Sequence, residues 1–127
     1  MQTGLMVFHH VQISCPAGSE ETLRDYYSGL LGLTEVPKPP ILAVRGGAWF
    51  RSADGSELHL GVEPDFRPAR KAHPALLWPE LDALAARLME AGYEITWGGD
   101  EVPGMRRFHT FDPHGNRLEF LTSVATR

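Results

Sequence analysis

The feature that most constrains this chain is a pattern of residues that occurs twice, about sixty residues apart. In each half a histidine begins a run typical of a β-strand, His10 in the first half and His73 in the second, and a helical stretch follows. Each half then ends on a polar residue placed four positions after a turn glycine, His59 in the first and Glu119 in the second. A repeat of this length predicts one duplicated α/β module rather than a short-period solenoid.

Each half is predicted to contain a strand, a helix and three further strands. The helices, over 19–31 and 80–92, have apolar residues at helical spacing and end near a glycine. The strands are predicted at 8–14, 41–45, 48–52 and 57–62, and again at 73–77, 93–96, 106–111 and 117–121. The fold class is therefore α+β, with two βαβββ modules.

The division of the chain follows from the same pattern. Residues 1–127 are predicted to form a single domain, with module one at 6–63 and module two at 72–122. The segment 64–71 is rich in proline and charge, which is typical of a connector.

Composition limits the classes of partner and compartment. The chain has 127 residues, 43% of them apolar, enough to bury a core. Its net charge of −4 and scattered basic residues exclude a nucleic-acid footprint. A single cysteine, Cys15, excludes an internal disulfide, and no signal-peptide core or apolar run near membrane length occurs. We expect a cytoplasmic protein that binds small molecules or a second copy of itself.

Strand alternation places four possible metal ligands away from the apolar face. His59 and Glu119 are each flanked by apolar residues, so their side chains point to the opposite face, and His10 alternates in the same way. Imidazoles with a carboxylate form open sites for divalent Zn, Ni, Co, Mn or Fe. A lone histidine on a strand is more often structural, but four candidates at equivalent places predict one metal per site, held by His10, His59, His73 and Glu119.

Other polar or aromatic residues are candidates for the wall of a substrate pocket. Strand alternation selects Gln12, Trp49, Arg51, His109 and Arg117. Trp49 fits a core position equally well, and the arginines fit solvent equally well. The facing of His109 depends on the turn that follows it.

The paired modules and the closing segment Asp112-Pro-His-Gly-Asn-Arg-Leu-Glu119 resemble the vicinal oxygen chelate superfamily. This superfamily includes glyoxalase I, fosfomycin-modifying thiol transferases, extradiol dioxygenases and bleomycin-resistance proteins. The resemblance covers nearly the whole chain and implies that His10, His73 and Glu119 form the metal-binding triad. His59 stands where glyoxalase I has a glutamate that binds metal and moves protons. His59 and Glu119 are therefore the candidates for catalytic roles.

The resemblance also implies a homodimer. In such dimers modules from two chains pair into open mixed-sheet barrels, so that His10 and His59 of one chain face His73 and Glu119 of the other. A lone βαβββ sheet exposes its concave face, which gives a physical reason for the pairing.

Two functional classes remain open. The first is a metal-dependent enzyme, similar to a lyase or isomerase, that stabilises an oxyanion or enediolate of a small oxygen-rich molecule by Lewis-acid catalysis. The second is a protein that binds or sequesters an antibiotic-like small molecule without catalysis. Within the first class, an imidazole at His59 disfavours glyoxalase I itself, and His109 stands where the fosfomycin enzymes have a tyrosine. Extradiol dioxygenases usually need further acid and base residues from a longer chain.

Overall fold

The computed structural model describes residues 3–124. The first half contains β1 (His10–Cys15), α1 (Glu20–Leu23), β2 (Thr34–Val36), α2 (Pro40–Ala43), β3 (Ala48–Arg51) and β4 (Glu57–Val62). The second half contains β5 (Ala75–Leu77), α3 (Leu81–Glu90), β6 (Thr96–Trp97), β7 (Met105–Phe111) and β8 (Arg117–Ser123). A π-helical segment, Arg24–Leu30, continues α1.

Each half forms its own four-stranded sheet with the same topology. The strand orders are β1-β4-β3-β2 and β5-β8-β7-β6. The first strand of each half runs parallel to the last, and the remaining neighbours are antiparallel. The duplicated α+β fold predicted from the sequence is confirmed. The exact bounds of the two modules, the connector at 64–71 and the pairing of modules between chains stay predictions.

One predicted strand is wrong. Residues 41–45 were expected to be extended, but Pro40–Ala43 forms one helical turn and the second strand is Thr34–Val36 instead. Pro40 lies at the first helical position, where its fixed φ and missing N–H favour a helix start. The strand pairs with β3 through Glu35 and Phe50, which completes the sheet.

A single core lies between the helices and one face of both sheets. Tyr26 from the first half contacts Tyr93 from the second, with ring centroids 5.0 Å apart. The largest fully buried apolar and aromatic side chains come from α1 and its π-helical continuation, from α3 and from both sheets: Tyr26, Tyr27, Phe50, Phe108, Phe120, Leu23, Leu60, Leu84, Leu88 and Leu118. Because strand residues alternate, the opposite face of each sheet, here called the polar face, carries most of the predicted site residues. None of the helices within residues 3–124 has the length and apolar character that crossing a bilayer requires.

A buried polar network joins the two halves. The Asn116 amide donates to the Ser14 carbonyl at 2.8 Å and to Asp112 Oδ2 at 3.2 Å, and its oxygen accepts from the Ala69 N–H at 3.0 Å. The Tyr27 hydroxyl also donates to Asp112 Oδ2, at 2.8 Å. The closing segment predicted to mark the family therefore fixes the first strand, the connector and the helix to one another.

Candidate functional site

Sheet register shows which residues are equivalent in the two halves. In the first half β4 places His59 opposite Trp49 on β3, and in the second half β8 places Glu119 opposite His109 on β7. His59 and Glu119 therefore occupy matching positions, as the sequence repeat predicts. The matching partners differ, because the first half has an indole where the second has an imidazole.

The second half brings three possible metal ligands together. Glu119 Oε1 lies 2.9 Å from His73 Nε2 and 3.5 Å from His109 Nε2. The ligand atoms of these three residues, here called the acid–imidazole group, all lie within 4.8 Å of one another. Among residues 3–124 it is the one group of three or more such side chains close enough to hold an ion. Strand β8 supplies Glu119, the segment just before β5 supplies His73, and β7 supplies His109.

Arg107 completes the surroundings of Glu119 and was not predicted from the sequence. Its Nη1 lies 3.2 Å from Glu119 Oε2, so the two carboxylate oxygens face different partners. Burial alone would raise the pKa of Glu119, but hydrogen bonds from His73 and Arg107 more than offset this and hold the pKa below its usual value. The available signal was strand alternation, since Arg107 lies two residues before His109 on the same face.

His73 lies between two hydrogen-bond acceptors. Its Nδ1 is 2.8 Å from the Lys71 carbonyl oxygen and its Nε2 is 2.9 Å from Glu119 Oε1. A neutral imidazole has one N–H and can satisfy only one acceptor. When Nδ1 donates to the carbonyl, the Nε2 lone pair faces a carboxylate, and a proton or a cation is needed between them.

The first half arranges its histidines differently. His59 is sandwiched between the rings of Trp49 and His10, with centroids 4.1 Å from each and interplanar angles of 7° and 13°. We call these three residues the aromatic stack. His59 Nε2 lies 2.9 Å from Glu57 Oε1, and Arg51 Nη2 lies 2.7 Å from Glu57 Oε2. With both faces covered and Nε2 beside Glu57, the ring of His59 is buried and only 3% of the residue is exposed.

Burial lowers the pKa of two of the candidate histidines, His59 and His109. Burial lowers the pKa of His59, and the hydrogen bond to Glu57 only partly opposes this. Burial likewise lowers the pKa of His109, and the positive charge of Arg117 lowers it further. Both rings therefore favour the neutral form, which is the form that binds metal.

The predicted residues thus fall into two clusters. The structure joins His73 with Glu119, and His10 with His59, but these two pairs do not form one group within the chain. His109, predicted as a pocket residue, lies within the acid–imidazole group. Whether these residues bind metal or substrate stays a prediction.

The remaining pocket candidates lie around these clusters. Gln12 and His73 line a common cleft of about 350 Å³ beside the connector. Trp49 belongs to the aromatic stack, and Arg51 is engaged by Glu57. Arg117 lies opposite Phe111 at the start of β8.

Comparison with known proteins identifies the family. The sequence profile of the Glyoxalase/Bleomycin resistance protein/Dioxygenase superfamily matches residues 8–120. The chain belongs to this superfamily. No curated protein matches it.

Solved structures with this fold include enzyme-like and binding proteins. A glyoxalase family protein from Bacillus anthracis is 38% identical, with a TM-score of 0.89 over 98% of this chain and 100% of its own. A glyoxalase/dioxygenase from Nostoc punctiforme is 23% identical, with a TM-score of 0.74 over 98% and 99%. TnmS3, an antibiotic-binding protein from Streptomyces sp. CB03234, is 24% identical, with a TM-score of 0.68 over 95% and 100%. The last two likenesses concern the fold alone.

Proposed function

We propose that this protein is a metal-dependent enzyme of the vicinal oxygen chelate type that acts on a small oxygen-rich molecule. The observation that carries the proposal is the acid–imidazole group, in which His73, His109 and Glu119 present ligand atoms within 4.8 Å of one another. A divalent ion held there would supply Lewis acidity toward neighbouring oxygens of a substrate. The reaction class is lyase-like or isomerase-like.

The donor set fits a divalent cation. Two imidazoles and one carboxylate leave coordination positions open, unlike a closed structural site. The two acceptors beside His73, the Lys71 carbonyl and Glu119, support the same view. A cation between His73 Nε2 and Glu119 would replace the proton that these two groups otherwise share. The Nδ1 contact with the Lys71 carbonyl is the kind of outer hydrogen bond that orients a ligating histidine.

We propose further that the site is completed by His10 and His59 from a second copy of the chain. Four consecutive apolar residues, Leu5, Met6, Val7 and Phe8, are 75–90% exposed just before β1. Phe8 lines a cleft together with Leu77, which is also 75% exposed. An exposed apolar patch beside an incomplete ligand set supports burial against another subunit. In this arrangement the stacked rings of His10 and His59 would lie beside the acid–imidazole group of the other chain.

Elemental analysis of protein purified without added metal tests the site. We expect close to one ion per chain, and a large loss of metal in the His73→Ala and Glu119→Gln variants without loss of fold, because open sites contribute little to folding. His114→Asn is the matched control, since His114 lies in the turn between β7 and β8. Unchanged metal content in both site variants would refute the ligand assignment.

Mixing two variants that have each lost the metal site tests whether sites are shared between chains. If His10 and His73 of different chains contribute to one site, a mixed dimer of His10→Ala and His73→Ala has one intact site and one doubly altered site. Equimolar refolding should then restore on the order of a quarter of all sites, by random assortment in a two-fold dimer. No restoration, with dimers present by sedimentation, would place both histidines in sites within single chains.

The alternative is a small-molecule binding protein without catalysis. The observation that favours it is that Glu119 is already satisfied by His73 and Arg107, so the group has partners without a metal ion. Absence of metal even after reconstitution with Zn, Ni, Co, Mn and Fe salts would favour this alternative.

A further inference from the structure

Arg107 links the acid–imidazole group to a surface loop. Its Nη1 lies 3.2 Å from Glu119 Oε2, and its Nη2 lies 3.3 Å from Glu101 Oε1 on the loop between β6 and β7. The Arg107 side chain is only 14% exposed, whereas that of Glu101 is 65% exposed. The guanidinium is therefore a largely buried charge that reaches from the candidate site to the solvent edge.

The guanidinium is incompletely used by the protein. Each carboxylate makes one contact with it, and neither forms the paired contact that a planar guanidinium makes with a planar carboxylate. The Nε of Arg107 is buried and has no hydrogen-bond partner among the described residues. Buried donors are costly to leave unpaired, so a guanidinium in this state favours an additional acceptor.

Glu101 is the partner of Arg107 that a ligand would displace. Hydrogen bonds from its own backbone N–H and from that of Gly99 lower the pKa of Glu101, so it is an anion at neutral pH. Ion pairs that involve exposed side chains contribute little to stability. A carboxylate from a ligand could therefore take the position of Glu101 at small cost.

The fold itself does not require an arginine at this position. Arg107 lies two residues before His109, and the matching position in the first half, two residues before Trp49, is Gly47. The duplicated module therefore folds without a cation there. This points to a role in the chemistry of the second half.

The charges around the group favour an anionic ligand. Two guanidinium groups lie near Glu119: Arg107 contacts its carboxylate, and Arg117 is close enough to His109 to lower the pKa of that imidazole. When Glu119 is committed to a cation and Glu101 is displaced, the charges of Arg107 and Arg117 are left without a carboxylate partner at the site within residues 3–124. An oxyanion complements this field better than a neutral molecule does.

We propose that Arg107 binds the carboxylate of a small hydroxy- or oxo-carboxylic acid, which displaces Glu101 and places a neighbouring oxygen toward the acid–imidazole group. This proposal rests on the proposed function, because the neighbouring oxygen is placed toward the proposed metal site. It names the substrate class that the site would select.

The experiment compares two probes that differ mainly in charge. Glycolate carries a carboxylate beside a hydroxyl, and glycolamide is its neutral counterpart. Dissociation constants are measured by calorimetry on Zn-loaded protein and by NMR titration on chelator-treated protein. The unaltered protein should bind glycolate about tenfold more tightly than glycolamide, as expected for a charge-assisted contact.

Three variants separate the roles. In chelator-treated protein, where no metal contributes to the preference, Arg107→Gln should abolish the preference for glycolate. Arg107→Lys should keep part of it, because lysine retains the charge without the planar fork. Glu101→Gln should strengthen glycolate binding about threefold, because a competing carboxylate is removed. The matched control is Arg106→Gln, since Arg106 lies on the other face, over Trp97 and paired with Asp82, and should leave the preference unchanged.

The outcomes distinguish this proposal from the proposed function. A glycolate preference that persists undiminished in chelator-treated Arg107→Gln, or weaker glycolate binding in Glu101→Gln, overturns the proposal even when metal binds normally. Glu101→Gln changes only an exposed loop residue, so its result does not depend on tolerance of a buried substitution. Failure of the unaltered protein to bind Zn refutes the metal site instead. In that case the chelator-treated titration decides, and no Arg107-dependent preference there overturns this proposal too.

Discussion

Replacing Asn116 by alanine should destabilise the whole domain, because this side chain connects three parts of the chain. Asn116 is 1% exposed and makes side-chain hydrogen bonds to Ser14, Ala69 and Asp112. The variant removes the hydrogen-bond partner of the Ser14 carbonyl and of the Ala69 N–H, and it removes one of the hydrogen bonds to Asp112. Asp112 keeps the Tyr27 hydroxyl and two backbone N–H donors, so its loss is partial.

The magnitude follows from these lost bonds. An unsatisfied buried polar group costs about 1–3 kcal/mol, and the lower figure applies where water can reach the gap. Three such losses give roughly 3 kcal/mol, a large share of the ~5–15 kcal/mol that stabilises a typical domain. For a chain of this size the expected fall in Tm is about 10 °C.

Urea denaturation followed by circular dichroism measures the effect. The exposed Thr22→Ala variant is the control and should change the free energy of unfolding by less than about 0.5 kcal/mol. Tyr27→Phe should be non-additive with Asn116→Ala in a double-mutant cycle, because both side chains serve Asp112 Oδ2. A loss below about 1 kcal/mol for Asn116→Ala, or full additivity of the pair, would refute the reasoning.

Two further predictions concern stability. Gly115→Ala should cost about 1–3 kcal/mol, because Gly115 has φ +92° and an added Cβ would lie 3.2 Å from Pro68 Cβ; an unchanged urea midpoint would contradict this. In chelator-treated protein the free energy of unfolding should fall as pH drops below 6.5. Burial holds the pKa values of His59 and His109 below that usual value, so the unfolded chain binds more protons. Below pH 4.5 the free energy of unfolding should fall further, because the pKa of Glu119 is lower in the folded protein than in the unfolded chain, and this fall ends once the pH is below the folded-state pKa of Glu119. A flat profile from pH 7 to 4 would contradict both effects.

Local chemistry made much of this fold predictable. Alternating apolar residues in 57–62 and 117–121 predict strands, and the repeat predicts that His59 and Glu119 are equivalent, which the register bears out. The short strand Thr34–Val36 has three residues, too few for a period to show, and it depends on pairing with β3. Apolar residues at 41–44 suggested a strand, but Pro40 starts a helical turn there.

The site was predictable where sequence spacing determined position and unpredictable where tertiary contacts did. His73 and Glu119 lie near each other because β5 runs beside β8, as a βαβββ module requires. The place of His109 depends on the register that the Asp112–Gly115 turn sets between β7 and β8. Arg107 shares the face of His109, but its pairing with Glu101 depends on the path of an irregular loop.

The two halves share one backbone topology but carry different side chains on their polar faces. At matching positions the first half has Trp49 and His59, and the second has His109 and Glu119. The aromatic stack holds the His59 imidazole between the rings of Trp49 and His10 and so limits its rotamers before any partner binds. The acid–imidazole group instead concentrates donors around one carboxylate, beside a cation, Arg107, that the first half lacks. Neither half alone offers the full predicted ligand set. In the proposed dimer, a second copy that faces the first would bring one half of each kind to every site, which is the arrangement that the mixed-variant experiment tests.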